Sequence, residues 1–159
     1  AMMEQAQHEN VIYQVVGFKL GGEEFVLDIL KVQEIIRLVE ITPVPNAPLF
    51  VEGVINLRGK VIPVISLRKR FGFNEKEKDS QTRIIVLEIE NKLVGFVVDL
   101  VTEVLRLPSS MVEPPPPLIS RIGSEYLKGV GKLEDRLLII LDADKILNFE
   151  EKKAIEKSF

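Results

Sequence analysis

The 159 residues contain no cysteine, no tryptophan and a single histidine, His8, which stands in a polar stretch near the N-terminus. Without cysteine there is no disulfide framework and no thiolate chemistry, and its absence suits a reducing cytoplasm. With its one histidine outside the apolar text, the chain has no residue for histidine-based acid–base or nucleophilic catalysis. Metal sites built on His or Cys clusters are missing for the same reason. No catalytic residue, no metal and no cofactor are therefore expected. Positive charge is also in short supply: 21 Lys and Arg face 24 Asp and Glu, for a net charge of −3 and a pI near 5.4. A duplex-binding protein shows the opposite balance. No apolar run is long enough to span a bilayer, and residues 2–10 lack the apolar centre of a signal peptide. A cytoplasmic chain with no direct membrane insertion is the expectation.

What is present is a core's worth of aliphatic text. Hydrophobic residues make up 46% and charged residues 28%, an ordinary globular balance. From Val11 onward the sequence breaks into short runs rich in Val and Ile, separated by turn residues. Val15–Leu20, Gly21-Gly22 and Glu23–Leu27 read as a hairpin, as do Val51–Leu57 and Lys60–Leu67 around Arg58-Gly59. Ile84–Glu88, Leu93–Val98, Gly129–Leu133 and Arg136–Leu141 read as further strands. Thr42–Pro48, with three prolines, is an extended loop. Residues 73–81 form a charged connector, Pro114–Pro117 a stiff spacer, and Leu147–Phe159 a short terminal helix.

These runs repeat. Phe50–Leu57 aligns with Tyr126–Leu133, Lys60–Leu67 with Arg136–Ala143, and Phe25–Asp28 with Phe96–Asp99. After each of those aspartates comes an apolar stretch holding one glutamate, Glu34 or Glu103. The chain thus divides into two related all-β units, a first subdomain over 15–83 (its repeat ending near 73) and a second over 84–148, flanked by a tail and first strand over 1–14 and a helix over 149–159. Each unit has about five short strands, enough for a small barrel. A unit of about sixty residues is marginal alone, so the two are expected to share apolar surface, and their seam is a natural binding groove.

Candidate chemistry is sparse. The Gly21-Gly22 and Gly59-Lys60 pairs lack the spacing of a phosphate loop and are turns. Asp142 and Asp144 are two apart at the end of a strand; they suit helix capping, with a carboxylate-dependent enzyme as the alternative. A nucleic-acid surface would draw on Arg58, Lys60, Arg68, Lys69 and Arg70. The segment from Asp28 to Ile41 fits neither helix nor strand, because its charges fall every third residue. It reads either as a helical turn breaking into a strand with its aliphatics in the core, or as a surface with part of that set facing an open groove. Arg58 sits on a hairpin tip where the second repeat has Glu134, so the copies diverge there in charge, which suits either partner recognition or a solvated turn.

Asp28–Ile35, Thr42–Pro48 and Gly53–Val64, with Asn56-Leu57-Arg58-Gly59 inside the last block, closely resemble the chemotaxis coupling (CheW) family. Val94–Asp99, Glu125–Gly131 and Asp135–Asp142 extend the resemblance over nearly the whole chain. It implies an all-β fold with short helices, two SH3-like five-stranded barrels packed around a shared hydrophobic interface, and a short C-terminal helix. It also implies a non-catalytic adaptor that bridges the regulatory barrel domain of the histidine kinase CheA and the cytoplasmic tip of a methyl-accepting chemotaxis receptor. Such an adaptor is cytoplasmic and is recruited to membrane-bound receptor arrays. Carried onto this sequence, the receptor groove comprises Val16, Ile29, Val32, Ile35 and Val98. Glu34, Arg58, Asn56 and Gly53 fall on positions tied to complex assembly with receptor or kinase.

Overall fold

The computed structural model describes residues 11–116, 124–148, 151–153 and 155. Eleven strands run through it: β1 Ile12–Leu20, β2 Glu23–Asp28, β3 Val32–Arg37, β4 Val51–Leu57, β5 Lys60–Ser66, β6 Arg83–Ile89, β7 Lys92–Val98, β8 Leu100–Pro108, β9 Val112–Glu113, β10 Leu127–Leu133 and β11 Arg136–Leu141. One short helix, α1 (Leu67–Phe71), follows β5, and residues 151–153 and 155 are helical. Both expected hairpins form, and the other four expected strands pair as two more, all closed by two-residue turns. His8 and Pro117, and most of the expected C-terminal helix, lie outside the described residues.

The strands make two sheets, ordered β3-β6-β7-β5-β4 and β8-β1-β2-β11-β10-β9. Each closes on itself. In the first, the chain leaving β3 comes round to the far edge, where Thr42 and Val54 exchange both backbone hydrogen bonds at 2.9 Å. In the second, the edge strands β8 and β9 are consecutive in sequence, separated only by the 3-10 turn Ser109–Met111. The two-residue β9 is the counterpart of Thr42, so each sheet is a five-stranded barrel with a short closing piece.

The division at residue 83 follows the repeat but not the barrels. The first barrel is the contiguous stretch 32–98. The second is built from what flanks it, the β1–β2 hairpin and β8 to β11. Each repeat therefore contributes its leading hairpin, β1–β2 or β6–β7, to the barrel of the other repeat. The repeat itself is kept to the level of register. β4 and β5 pair with a bulge between Val51 and Gly53, and β10 and β11 with the same bulge between Leu127 and Gly129. Ser66 and Asp142, equivalent in the alignment, both cap the turn that follows their strand.

Successive strand residues point to opposite faces, and here both faces are dry. Ile84 and Val86 of β6 fill the first barrel with Ile55, Ile62 and Val64, while Ile85, Leu87 and Ile89 face the seam. Leu138 and Ile140 of β11 fill the second barrel with Val15, Val26, Leu105 and Leu107, while Ile139 and Leu141 face the seam. This is why the strands read as unbroken aliphatic runs. The scarce aromatics concentrate between the barrels: every described aromatic except Tyr13 belongs to the central cluster or packs on it. Phe25 stacks on Phe18 and Phe71, and Phe71 meets Tyr126.

Two strands carry the bulges that hide them from a periodicity reading. In β3, Val32 and Glu34 stand opposite the adjacent residues Leu87 and Val86, so Gln33 is the extra residue. With the 3-10 turn Ile29–Lys31 just before it, this explains why Asp28–Ile41 fits no single period. In β8, Thr102 and Glu103 together face Gly17. The bulge shifts the alternation partway along, and the sequence reading places no strand there.

Candidate functional site

The expected site residues separate into three groups. Val16 and Val98 are sealed, each 1% exposed, and cannot line an open groove. Most of the seam is packed core rather than a cleft, because the aromatic and aliphatic residues of both barrels fill it. Ile29 and Val32 are half-buried, Val32 packing against the central cluster, and Ile35 is 38% exposed. The expected five-residue lining thus reduces to the Ile29–Ile35 strip. A residue outside that expectation dominates the strip: Leu30, on the 3-10 turn, is 86% exposed. The turn is fixed by Asp28, whose Oδ1 accepts the Leu30 N–H, and by a 2.9 Å ion pair from Lys31 to Asp144.

Glu34, Arg58 and Asn56 do come together. The β4–β5 tip places Arg58 at a positive φ of 51°, and the Asn56 side chain accepts the Gly59 N–H at 2.9 Å, holding the turn. Arg58 then donates from Nη2 to Glu34 Oε2 at 2.7 Å. Glu34 is the more enclosed partner, and its Oε1 accepts no hydrogen bond from any described group. Next to the pair is a recess of about 150 Å³ floored by Ile62, Val86 and Leu93. Glu134, equivalent to Arg58, also has positive φ, so the turn geometry is shared and the charge is not.

Gly53 belongs to the fold instead of to a contact surface. It is buried, its φ is 149°, and a Cβ there would be driven into the carbonyl oxygen of Thr42, the strand-closing residue. Gly129 sits in the same way beneath the carbonyl of Glu113.

The two alternatives lose their residues to local roles. Asp142 caps the turn Ala143–Lys145 through the Asp144 N–H, and Asp144 holds Lys31. Four of the five basic residues are ion-paired: Arg58 faces Glu34, Arg68 forks onto Asp99, Lys69 lies 3.1 Å from Glu75, and Arg70 bonds Glu151 at 2.7 Å. Cations so engaged have little charge left over for a phosphate.

A second charged constellation went unread in the sequence. Arg136 forks onto Glu24, which also accepts the Thr102 hydroxyl, and reaches Glu103 at 3.0 Å, tying β11 to β2 and β8. The repeat holds the signal for it, since Glu103 is the counterpart of Glu34 and Arg136 of Lys60. Asp99 is held in a similar way by Arg68 and the Gly21 N–H. Burial pushes both carboxyls up, but the hydrogen bonds from Arg68 and Gly21 outweigh it at Asp99, and those from Arg136 and Thr102 outweigh it at Glu24, so both titrate below their usual range. A carboxylate lowered in the folded state stabilises above its unfolded pKa and loses that contribution as pH falls through the folded value. Urea midpoints should therefore fall on acidification below about pH 4.5. Asp99→Asn should be less stable at neutral pH and have a shallower acid limb; an acid limb of unchanged slope would exclude this origin.

The family model of the CheW-like domain matches residues 14–151. The chain belongs to the CheW-like domain family. Among its relatives, the chemotaxis protein CheW of Klebsiella aerogenes is 40% identical over 148 residues, covering 93% of this chain and 89% of that one. The CheW of Helicobacter pylori is 38% identical, over 90% of this chain and 86% of its own. The crystal structure of the scaffolding protein TtCheW from Thermoanaerobacter tengcongensis superposes with a TM-score of 0.82 at 39% identity, covering 89% of this chain and 96% of that one. The CheW-like match thus spans both barrels, including the hairpins exchanged between them.

Proposed function

We propose that this CheW-like chain is a non-catalytic adaptor that couples methyl-accepting chemoreceptors to the histidine kinase CheA, in the cytoplasm at membrane-bound receptor arrays. The observation that carries the reading is the kinship over nearly the whole chain with proteins named for chemotaxis, one of them a scaffolding protein. Two surfaces support it. The aliphatic strip of Ile29, Leu30, Val32 and Ile35 suits an apolar face of a receptor helical hairpin. The Glu34–Arg58 pair at the β4–β5 tip suits a charged contact in assembly, with Arg58 free to exchange Glu34 for a partner carboxylate. Among the described residues no helix is long and apolar enough to cross a membrane. Holding two partners at once turns weak contacts into a stable assembly.

Co-sedimentation with a receptor signalling fragment and the kinase tests this directly, the expected result being a ternary pellet that needs the chain. Ile35→Glu is the cleaner probe of the strip, since Val32 also packs on the central core and Val32→Glu would mix binding with stability. Ile35→Glu should weaken receptor binding at least about tenfold with an unchanged melting temperature. Normal receptor binding by that variant would remove the strip from the interface.

A further inference from the structure

The chain passes from one barrel to the other at two places: the 3-10 turn Ile29–Lys31, between β2 and β3, and Asp99, between β7 and β8. Each crossing is clamped by an ion pair. Arg68 forks onto Asp99, and Asp144 takes Lys31, whose Nζ lies 3.2 Å from Oδ1 and 2.9 Å from Oδ2. Both clamps come from one position of the repeat. The alignment of Lys60–Leu67 with Arg136–Ala143, carried one residue further, sets Arg68 opposite Asp144. The sign is exchanged, so that a cation clamps one crossing and a carboxylate the other.

The surroundings of the two clamps differ. Arg68 and Asp99 are largely enclosed, and their pair serves the fold, whereas Lys31 and Asp144 are half-exposed. An ion pair open to water adds little to stability. Its place is what sets it apart: Lys31 follows Leu30, the most exposed residue of the apolar strip. Two further ties of the turn are local, the Leu30 N–H to the Asp28 carboxylate and the Val32 N–H to the Ile29 carbonyl. Lys31 fastens the turn to the segment after β11. The hydrogen bond to Asp144, joined by the charges of Asp142 and Asp28, holds the Lys31 ammonium above its usual range.

We infer, on the adaptor reading above, that Lys31 and Asp144 are positioning residues for receptor docking, their pair holding the crossing in the geometry that presents Leu30 to the partner. A leucine fixed in place before the partner arrives spares the ordering cost that a loose turn would incur on binding. The segment after β11 thereby acts on a surface to which it contributes no residue of the strip.

Titration calorimetry of the full chain with a receptor signalling fragment tests this. Neutral variants suit it, because Asp28 and Asp142 would repel an acid placed at position 31. Asp144→Asn and Lys31→Met should each weaken receptor binding about threefold to fivefold and move the melting temperature by no more than about 3 °C. The double variant should cost no more than either one, and Asp144→Glu should keep most of the affinity. In a Leu30→Ala chain, Asp144→Asn should cost nothing further, since the side chain it positions is gone. Hydrogen exchange at the Val32 N–H should quicken in Asp144→Asn. Normal receptor binding by Asp144→Asn, with Ile35→Glu impaired, overturns the clamp and leaves the adaptor reading standing. A loss from Asp144→Asn that persists in full in the Leu30→Ala chain, or unchanged exchange at Val32, overturns positioning. If Ile35→Glu and Asp144→Asn both bind as wild type, or the unmodified chain does not bind the fragment, the strip falls and the clamp with it.

Discussion

Gly53→Ala should lower the unfolding free energy by about 3 kcal/mol or more, enough to populate unfolded chain at moderate temperature. Two penalties act together. The φ of 149° lies outside what an L side chain adopts readily, and the new methyl collides with the Thr42 carbonyl. Thr42 cannot retreat without giving up its two hydrogen bonds to Val54, the pair that shuts the first barrel. Gly59 supplies the control: its φ is 84°, but nothing lies within 4 Å of a Cβ placed there. Gly59→Ala should therefore cost only about 1 kcal/mol. Gly129→Ala should fall between the two, because the Glu113 carbonyl takes the place of Thr42 but the φ there is not positive. Urea titrations followed by far-UV circular dichroism give all three values, and similar midpoints for Gly53→Ala and Gly59→Ala would refute the closure argument. A loss of partner binding in a Gly53 variant would then report folding, not a lost contact.

Arg70→Ala is the second large effect, about 3 kcal/mol. The Arg70 guanidinium lies 5.1 Å from the Phe50 ring centroid and 4.8 Å from that of Tyr126. Those two rings are equivalent in the repeat, one entering β4 and the other entering β10, so Arg70 sits between the two halves. Its Nε donates to the Ile146 carbonyl at 2.9 Å and its Nη2 to Glu151 at 2.7 Å. Glu151 is also engaged in a reciprocal cap with Asn148, each side chain accepting the other's backbone N–H. Removing Arg70 takes away two hydrogen bonds to the terminal segment and two cation–π contacts at once. Arg70→Lys keeps the charge and loses the fork, and should recover about half the loss. Hydrogen exchange should show faster exchange at residues 146–148 and 151–153 in Arg70→Ala. Protection there equal to wild type would mean that the terminal segment is held by Leu147 and Ile155 alone.

The hairpins were legible because their turn residues and aliphatic runs are local signals. Barrel membership was not, because the repeat describes descent along the chain and says nothing about which copy a hairpin packs into. The pairings of β1 with β8 and β2 with β11, and of β3 with β6 and β5 with β7, reveal the exchange. β8 and the Asp28–Ile41 segment were obscured by bulges, each of which resets the alternation of faces. Of the candidate site, the Glu34–Arg58–Asn56 group could be drawn from the resemblance and is assembled where the β4–β5 turn reaches β3. The five-residue groove could not survive intact, since whether an aliphatic such as Val16 or Val98 ends up at a surface depends on how completely the neighbouring barrel covers it. Leu30 carried no sequence signal distinguishing it from Ile29.

Because the barrel of residues 32–98 interrupts the chain of the other, synthesis presents the parts out of order. The β1–β2 hairpin is made before that barrel, yet its partners β8 and β11 are made after it. Residues 32–98 can meanwhile complete their own hydrogen-bonded ring, and Phe18 and Phe25 gain an early docking face on it while the remaining strands are still being made. Between the making of β7 and that of β11 the nascent protein thus holds one module finished and an opening hairpin awaiting enclosure.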